Sequence, residues 1–336
     1  MKKIFFIIII INFSIFSFSY FNKYTNIFSP PGYYFNYTAS TDNHISLQFY
    51  NVRKYQLMLS NELLASAWSQ ERSLMGGQMV VESSNYTHAI SSSNAMGLFQ
   101  IKYLTGKDLN VENLFDPYDN LRSALEYQSY LRRIFEDEKR QIAAYHDGPG
   151  AIRRAGMTPS GEAYYLRVKR EQSNYIIRPV YSPYILGGSL DFFSNNKFLL
   201  DLNFTAAYRK FEFYFDFKFF SDGEKINENN GIIDNKKYEL DFDFSILYNP
   251  RTIFSYGINK DSLIIRMGLP WQNISFSLGE NPFFSYYRIR QKTYISKIEI
   301  TEHNFLIMYG LKIMNIQSLV GFDIFNQSFN FQFGVL

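Results

Sequence analysis

Phe211-Glu212-Phe213-Tyr214-Phe215-Asp216-Phe217-Lys218-Phe219 carries a phenyl ring at every second position and a charge or a hydroxyl in between. Successive side chains of a strand point to opposite faces, so this stretch reads as a strand with one apolar and one polar face. The alternation returns at Tyr238-Glu239-Leu240-Asp241-Phe242-Asp243-Phe244 and at Ile295-Ser296-Lys297-Ile298-Glu299-Ile300, and closes the chain at Phe329, Phe331, Phe333 and Val335. Turn residues separate such runs at Asn249-Pro250, Asn259-Lys260-Asp261, Gly279-Glu280-Asn281-Pro282, Met314-Asn315 and Asn326-Gln327. Residues 178–336 therefore read as an antiparallel all-β domain of about eight to ten strands, with Ser221 to Lys237 as a longer external loop.

A sheet with one apolar face can close into a small outer-membrane barrel, its aromatics against lipid, or fold as a soluble sheet over a core. The aromatic load of 34 Phe and 27 Tyr, with short and regular spacing between turns, favours the barrel. Leu336, at the end of the chain, falls out of phase with the closing alternation.

Upstream of Tyr175 the period is helical, which makes this the main internal boundary. Leu121, Ala124, Leu125, Leu131, Ile134 and Phe135 share one helical face, preceded by the start signals Asp116-Pro117 and Asp119. Lys139 to His146 reads as a shorter helix stopped by Gly148-Pro149-Gly150, and Ala151 to Ala155 as another ending at Gly156. Between Val52 and Val81 apolar residues recur at helical spacing, consistent with two helices meeting near Ser69 to Ser73. A mainly helical domain is thus expected over 52–172. Residues 20–51, rich in Asn, Ser, Thr, Tyr and Pro, show no sustained period and read as a lead-in segment. The fold class is multi-domain, α followed by β.

Met1-Lys2-Lys3, the apolar run Ile4 to Phe18 and the small-x-small Ser17-Phe18-Ser19 have the order of a secretory signal over 1–19, with an uncleaved anchor as the other reading. Either way the chain is exported, to the periplasm and an outer-membrane association. Net charge is +3, and without Lys2 and Lys3 the balance is 32 bases to 31 acids, which argues against nucleic acid as a partner. With no cysteine and only four scattered histidines, no disulfide, thiolate site or metal cluster is expected, and no cofactor is implied.

Three strings carry the chemistry: Val81-Glu82-Ser83-Ser84, Ala95-Met96-Gly97-Leu98-Phe99-Gln100 and Ala143-Ala144-Tyr145-His146-Asp147-Gly148-Pro149-Gly150. A carboxyl held among apolar side chains can keep its proton towards neutral pH and serve as a general acid. Glu82 is the candidate, because Met79, Val80, Val81, Met96, Leu98 and Phe99 can supply apolar surroundings that disfavour its ionised form. A second carboxylate, as nucleophile or base, has no evident counterpart; Asp147 and Asp108 are the available acids.

Together the strings resemble the soluble lytic transglycosylase domain, a relative of goose-type lysozyme, over about Met58 to Arg170. The resemblance implies a lysozyme-like fold acting on peptidoglycan glycan strands at the MurNAc-GlcNAc bond. Glu82 is then general acid and afterwards base, and the 6-hydroxyl of N-acetylmuramic acid is the nucleophile, leaving a 1,6-anhydro ring. It also implies that Ser83 orients the acid or the sugar. Gly97, Leu98, Phe99 and Gln100 match the family Gly-Leu-Met-Gln string, with close backbone approach at Gly97 and an amide contact from Gln100. Tyr145 is expected to reach towards the acid, and His146 stands where the family has a sugar-contacting Asn. The fourth family string is kept as Tyr164 with Val168 four residues on, Tyr165 being the second choice, although its Glu-to-Tyr spacing differs. Two other readings of these residues are a domain that grips glycan without cutting, anchored by the barrel, and a muramidase in which water attacks.

Overall fold

The computed structural model describes residues 23–41, 44–69, 71–193, 197–221, 238–279, 282–290, 293–301, 304–314 and 316–335. The signal read over 1–19, nearly all of the loop Ser221 to Lys237, and Leu336 lie outside the described residues.

Chain order begins with a single helical turn, α1 (Lys23–Asn26), and two strands, β1 (Gly32–Ser40) and β2 (Ile45–Leu59). A helical insert follows: α2 (Ser60–Leu64), α3 (Arg72–Ser83), the two-residue strands β3 (Ala95–Met96) and β4 (Ile101–Lys102), α4 (Tyr103–Asp108), α5 (Pro117–Ile134), α6 (Glu138–Asp147), α7 (Pro149–Ala155) and α8 (Pro159–Ser173). Twelve more strands complete the chain: β5 (Pro179–Phe192), β6 (Phe198–Tyr208), β7 (Phe211–Ser221), β8 (Tyr238–Arg251), β9 (Phe254–Ile258), β10 (Ser262–Leu269), β11 (Gln272–Gly279), β12 (Phe283–Arg290), β13 (Tyr294–Thr301), β14 (Phe305–Ile313), β15 (Ile316–Asp323) and β16 (Ser328–Val335). These twelve, with β1 and β2, close an antiparallel barrel of fourteen strands.

The period of two is plain in β7 and β16. In β7, Phe211 and Phe215 are exposed on the outer wall while Glu212, Tyr214 and Asp216 are buried in the lumen. In β16, Phe329, Phe331 and Val335 point out, and Asn330 and Gln332 point in. Closure gives every strand two neighbours, which removes the unpaired edges an open sheet would leave.

The barrel corrects three expectations. Residues 20–51 are no lead-in: β1 pairs with β16 from Phe35↔Val335 to Ser40↔Asn330 and so forms the seam. Val52 to Leu59 is not helical but the end of β2, and the insert begins at Ser60. Residues 178–336 hold twelve strands, β5 to β16, rather than about eight to ten, and β1 and β2 add two more whose period the sequence hides: β1 carries tyrosine on both faces, with Tyr33 exposed and Tyr34 buried.

The insert leaves and re-enters between neighbouring strands. Leu59 of β2 pairs with Pro179 of β5, and just beyond them Ser60 N donates to Arg178 O (2.8 Å) while Arg178 N donates to Ser60 Oγ (2.9 Å). It then docks on the short turns at the same end of the barrel. In the β6–β7 turn Arg209 pairs with Asp116 (3.2 Å), and Lys210 with Glu112 (2.7 Å) and Asp119 (2.9 Å). At the end of β8 Asn249 O accepts from Asn113 (2.9 Å), and in the β8–β9 turn Thr252 Oγ1 accepts from Leu114 N (2.9 Å).

Tyr24, Ile27 and Phe28 fill the lumen at this end. Tyr24 lies edge-on to Tyr214 (4.7 Å between centroids), Ile27 is buried against the inward-facing Tyr34, Tyr50 and Val52, and Phe28 packs on Phe115 of the insert (4.9 Å). Arg266 of β10 donates to the carbonyl of Tyr24 and forks onto Glu212 Oε1 (2.7 Å) and Oε2 (3.0 Å).

Candidate active site

The insert core gathers residues from most of its helices, among them Leu63, Met75, Met79, Leu121, Leu131, Ile142, Ile152 and Val168, with Phe99 from between them. On α3, Met75, Gln78, Met79 and Glu82 recur at three and four residues and so share one face. That face meets α8 at close range: a Cβ on Gly77 would lie 2.9 Å from Val168 O and from Gln172 N, so the small residue sets the helix separation. Glu82 occupies the last turn of α3, which ends on Ser84 and Asn85, both left-handed.

Tyr164 comes from the buried face of α8, one turn before Val168, and its hydroxyl donates to Glu82 Oε1 at 2.5 Å. Burial pushes the Glu82 carboxyl above the usual carboxylate range; the Tyr164 hydrogen bond and the charges of His146 and Arg167 pull the other way without cancelling it. The negative end of the α3 dipole acts in the same direction as burial. Burial, then the charge of Glu82, hold the Tyr164 phenol well above its ordinary value, so it stays a donor.

Behind Tyr164 lies a chain of buried amides that the sequence reading missed. Gln128 Nε2 on α5 donates to Gln78 Oε1 (3.0 Å), and Gln78 Nε2 donates to Tyr164 Oη (3.4 Å). The available signal was an amide on an otherwise apolar helical face, at Gln78 beside Met75 and Met79 and at Gln128 between Ala124 and Leu131. Asn120 was missed for the same reason. Its Oδ1 accepts from Phe99 N (2.7 Å) and its Nδ2 donates to Met96 O (3.1 Å) and Leu114 O (2.8 Å), which pins the second string to α5.

The other expected site residues sort into wall and scaffold. Leu98 and Phe99 are fully buried in the core, away from any substrate surface. Gly97 has φ +78° and its Cβ would stand 2.1 Å from Leu114 O, so the close approach it permits is to its own chain rather than to a glycan. Gln100 spends its amide hydrogens on Ala89 O (3.1 Å) and Gly97 O (2.8 Å), closing the loop. Ser83 Oγ donates back to Met79 O (3.2 Å), the common fate of a helical serine. Tyr145 donates to Phe99 O (2.9 Å) and so does not bond the acid; Tyr164 does that instead. His146 stacks on Tyr164 (4.8 Å) and joins Asp147 Oδ1 through Nδ1 (2.7 Å).

Asp147 is also tied down. Burial alone would raise its carboxyl, but hydrogen bonds from Thr158, His146 and Ser160 outweigh that and hold it below the usual range. It anchors the start of α8 rather than facing Glu82 as a second acid. Among the described residues no group of three or more His, Asp or Glu side chains is arranged to hold a metal ion.

A cleft of about 720 Å³ lies along the insert, its lining including Trp68, Thr105, Asp108, Tyr127, Tyr130 and Pro149. Trp68 is 78% exposed, and Tyr127 connects the cleft to the acid's surroundings by packing on Tyr145 (5.3 Å). Exposed rings along the cleft suit an elongated, hydroxyl-rich substrate, and a buried carboxyl with one phenol donor suits acid catalysis.

Comparison with known proteins agrees with this geometry. Residues 64–167 match the family model of the transglycosylase SLT domain. A protein named membrane-bound lytic murein transglycosylase C from Haemophilus influenzae (strain PittGG) is 29% identical over 142 residues, 37% of this chain and 38% of its own. Proteins of the same name are 30% identical over 131 residues in Haemophilus influenzae (strain PittEE), covering 33% of this chain and 35% of theirs, and 28% identical over 155 residues in Actinobacillus succinogenes, covering 40% and 42%. The chain thus spans less than half the length of the curated relatives it matches.

Proposed function

We propose that the chain is a peptidoglycan lytic transglycosylase: an SLT catalytic domain carried between two strands of an outer-membrane barrel, with Glu82 as the sole acid and base. The observation that carries this reading is the pairing of Glu82 with Tyr164 in surroundings that favour the protonated carboxyl, while Asp147 is tied to the start of α8.

The chemistry needs no more than that. Glu82 delivers its proton to the glycosidic oxygen as the bond from N-acetylmuramic acid C1 breaks, and positive charge develops on the ring. The carboxylate so formed takes the proton of the sugar's own 6-hydroxyl as O6 bonds to C1. Glu82 is protonated again, no water is consumed, and a 1,6-anhydro end remains. An intramolecular nucleophile is favoured because it brings no further loss of translational freedom. His146, stacked beside the acid, and the rings of the cleft are the surfaces that hold the glycan.

An outer wall of Phe, Leu, Ile and Val over a polar lumen supports membrane insertion by strands. Short turns in such barrels face the periplasm, and the insert sits on the end that bears them. This supports an active site on the side where the wall lies.

Digestion of sacculi by the full-length protein in detergent tests the assignment. Mass spectrometry should find 1,6-anhydro ends, absent with Glu82→Gln and present with the distant Tyr309→Phe. Reducing ends in place of anhydro ends make the protein a muramidase, and glycan binding with no cleavage makes it an anchor. Heat-modifiable migration and membrane fractionation test the barrel.

A further inference from the structure

We propose that the buried chain Gln128–Gln78–Tyr164 decides which oxygen of Glu82 carries the catalytic proton, with Gln78 and Gln128 as positioning residues that never touch substrate. The inference rests on the transglycosylase reading and deepens it.

The three side chains come from three helices and are each almost wholly buried. Their hydrogen bonds run in one direction. Gln128 Nε2 gives to Gln78 Oε1, Gln78 Nε2 gives to Tyr164 Oη, and Tyr164 gives its only proton to Glu82 Oε1. A phenol has one hydrogen, so what fills its acceptor side fixes where that hydrogen points. Because Gln78 presents N–H groups to Tyr164, the phenol proton is left for Glu82. Were the amide of Gln78 turned round, its oxygen would compete for that proton and Glu82 Oε1 would lose its donor. Gln128 prevents the turn by occupying Gln78 Oε1.

With Oε1 held as an acceptor, the acid proton of Glu82 belongs on Oε2. A carboxyl that delivers a proton along one line needs this choice made before substrate arrives. The arrangement has a cost for the fold, since Gln128 Oε1 is buried without a partner among the described residues. On a face that otherwise carries Leu121, Ala124 and Leu131, a leucine would pack without that cost.

The groups facing Glu82 are Tyr164 and Arg167 from α8 and Tyr145 and His146 from α6, with Asp147 bound to His146. Of these only Tyr164 bonds to the chain, so a shift seen on changing position 78 or 128 reports the chain itself. Tyr164 is the donor aligned towards the carboxylate and favours its ionised form, so a phenol no longer held to that direction raises the pH at which Glu82 gives up its proton.

In the full-length protein, Gln78→Met should move the basic limb of kcat/KM upward by about half to one pH unit, the weight of one hydrogen bond. Over the same change kcat should fall about tenfold with KM within a factor of two, as expected when placement rather than binding is lost. Gln128→Met, which leaves Gln78 present but free to turn, should shift the limb the same way and serves if the first variant does not fold. A carbon NMR titration of the Glu82 carboxyl should show the same upward shift whichever product the enzyme makes. Absence of anhydro ends from the wild type would thus sink the transglycosylase reading and leave this one standing. A limb and a titration that stay put in both variants, while only thermal stability falls, would reduce the chain to core packing and overturn the proposal.

Discussion

A carboxyl that must stay protonated to work has a consequence for stability. Burial raises the Glu82 value in the folded protein above the ordinary 4.5, so the fold holds this proton more tightly than the unfolded chain does. The sign follows by linkage: the associated stability is fully present below the unfolded value and is lost as pH rises through the folded one. Glu82→Gln removes the ionisation and keeps an acceptor for Tyr164. Its unfolding temperature should exceed that of the wild type at pH 7 and match it at pH 4, while cleavage is lost. Equal temperatures at both values would mean that the carboxyl is solvated in the folded state. Gly97 gives the opposite case, a residue whose side of the fold has no slack. Gly97→Ala faces both a left-handed φ of +78° and a carbonyl 2.1 Å from the new methyl. Strain of this kind costs about 1–3 kcal/mol before the clash is added. Denaturant unfolding should register at least that loss, with activity falling in step because Asn120 and Phe99 must shift.

At the scale of elements, capping and docking share the same side chains. Asp116 accepts from Tyr118 N (3.0 Å) and Asp119 N (3.1 Å) at the start of α5, and its second oxygen receives Arg209 from the barrel turn. Asp116→Ala should therefore cost about 1–2 kcal/mol from the lost cap. Arg209→Ala alone should cost under about 1 kcal/mol, since its side chain is partly exposed and ion pairs there are weak. A double-mutant cycle over the two separates the cap from the dock, and a coupling near zero would make Arg209 a bystander. The cap was legible in the sequence because Asp-Pro before an apolar face states a local rule. So were Glu82 and its string, and the alternation of β7. The chain Gln128–Gln78–Tyr164 was not, because a helical period tells which face a residue occupies and nothing about what that face meets. Tyr145 was given the contact that Tyr164 makes for a related reason: both are buried tyrosines on neighbouring helices, and only the crossing of α3 and α8 at Gly77 decides between them.

In the molecule as a whole, the strands on either side of the insert make one barrel, and its lumen is stabilised by a charge pair that cannot be halved. Glu212 and Arg266 are both buried, and Arg266 also holds the carbonyl of Tyr24. Arg266→Met strands Glu212, for which loss of one partner typically costs about 3–5 kcal/mol. Its heat-modifiable band should unfold at a lower temperature, and Glu212→Leu added to it should recover most of the difference. Failure of the second change to recover anything would place the loss in the Tyr24 contact instead. The seam gives the sharpest case. Deleting residues 23–41 removes both the lumen segment and β1, and leaves β2 and β16 with open edges that the remaining strands are not registered to close. Tyrosines on both faces hid β1 in the sequence, yet its pairing with β16 makes it as necessary as any strand that was visible. The truncated protein should lose heat modifiability altogether, since no native barrel forms. The insert, whose core and active site draw little from that segment, should still release anhydro ends from sacculi in solution. Retention of the folded band would show that the other thirteen strands close without the first, while loss of cleavage as well would show that the catalytic domain depends on its seat.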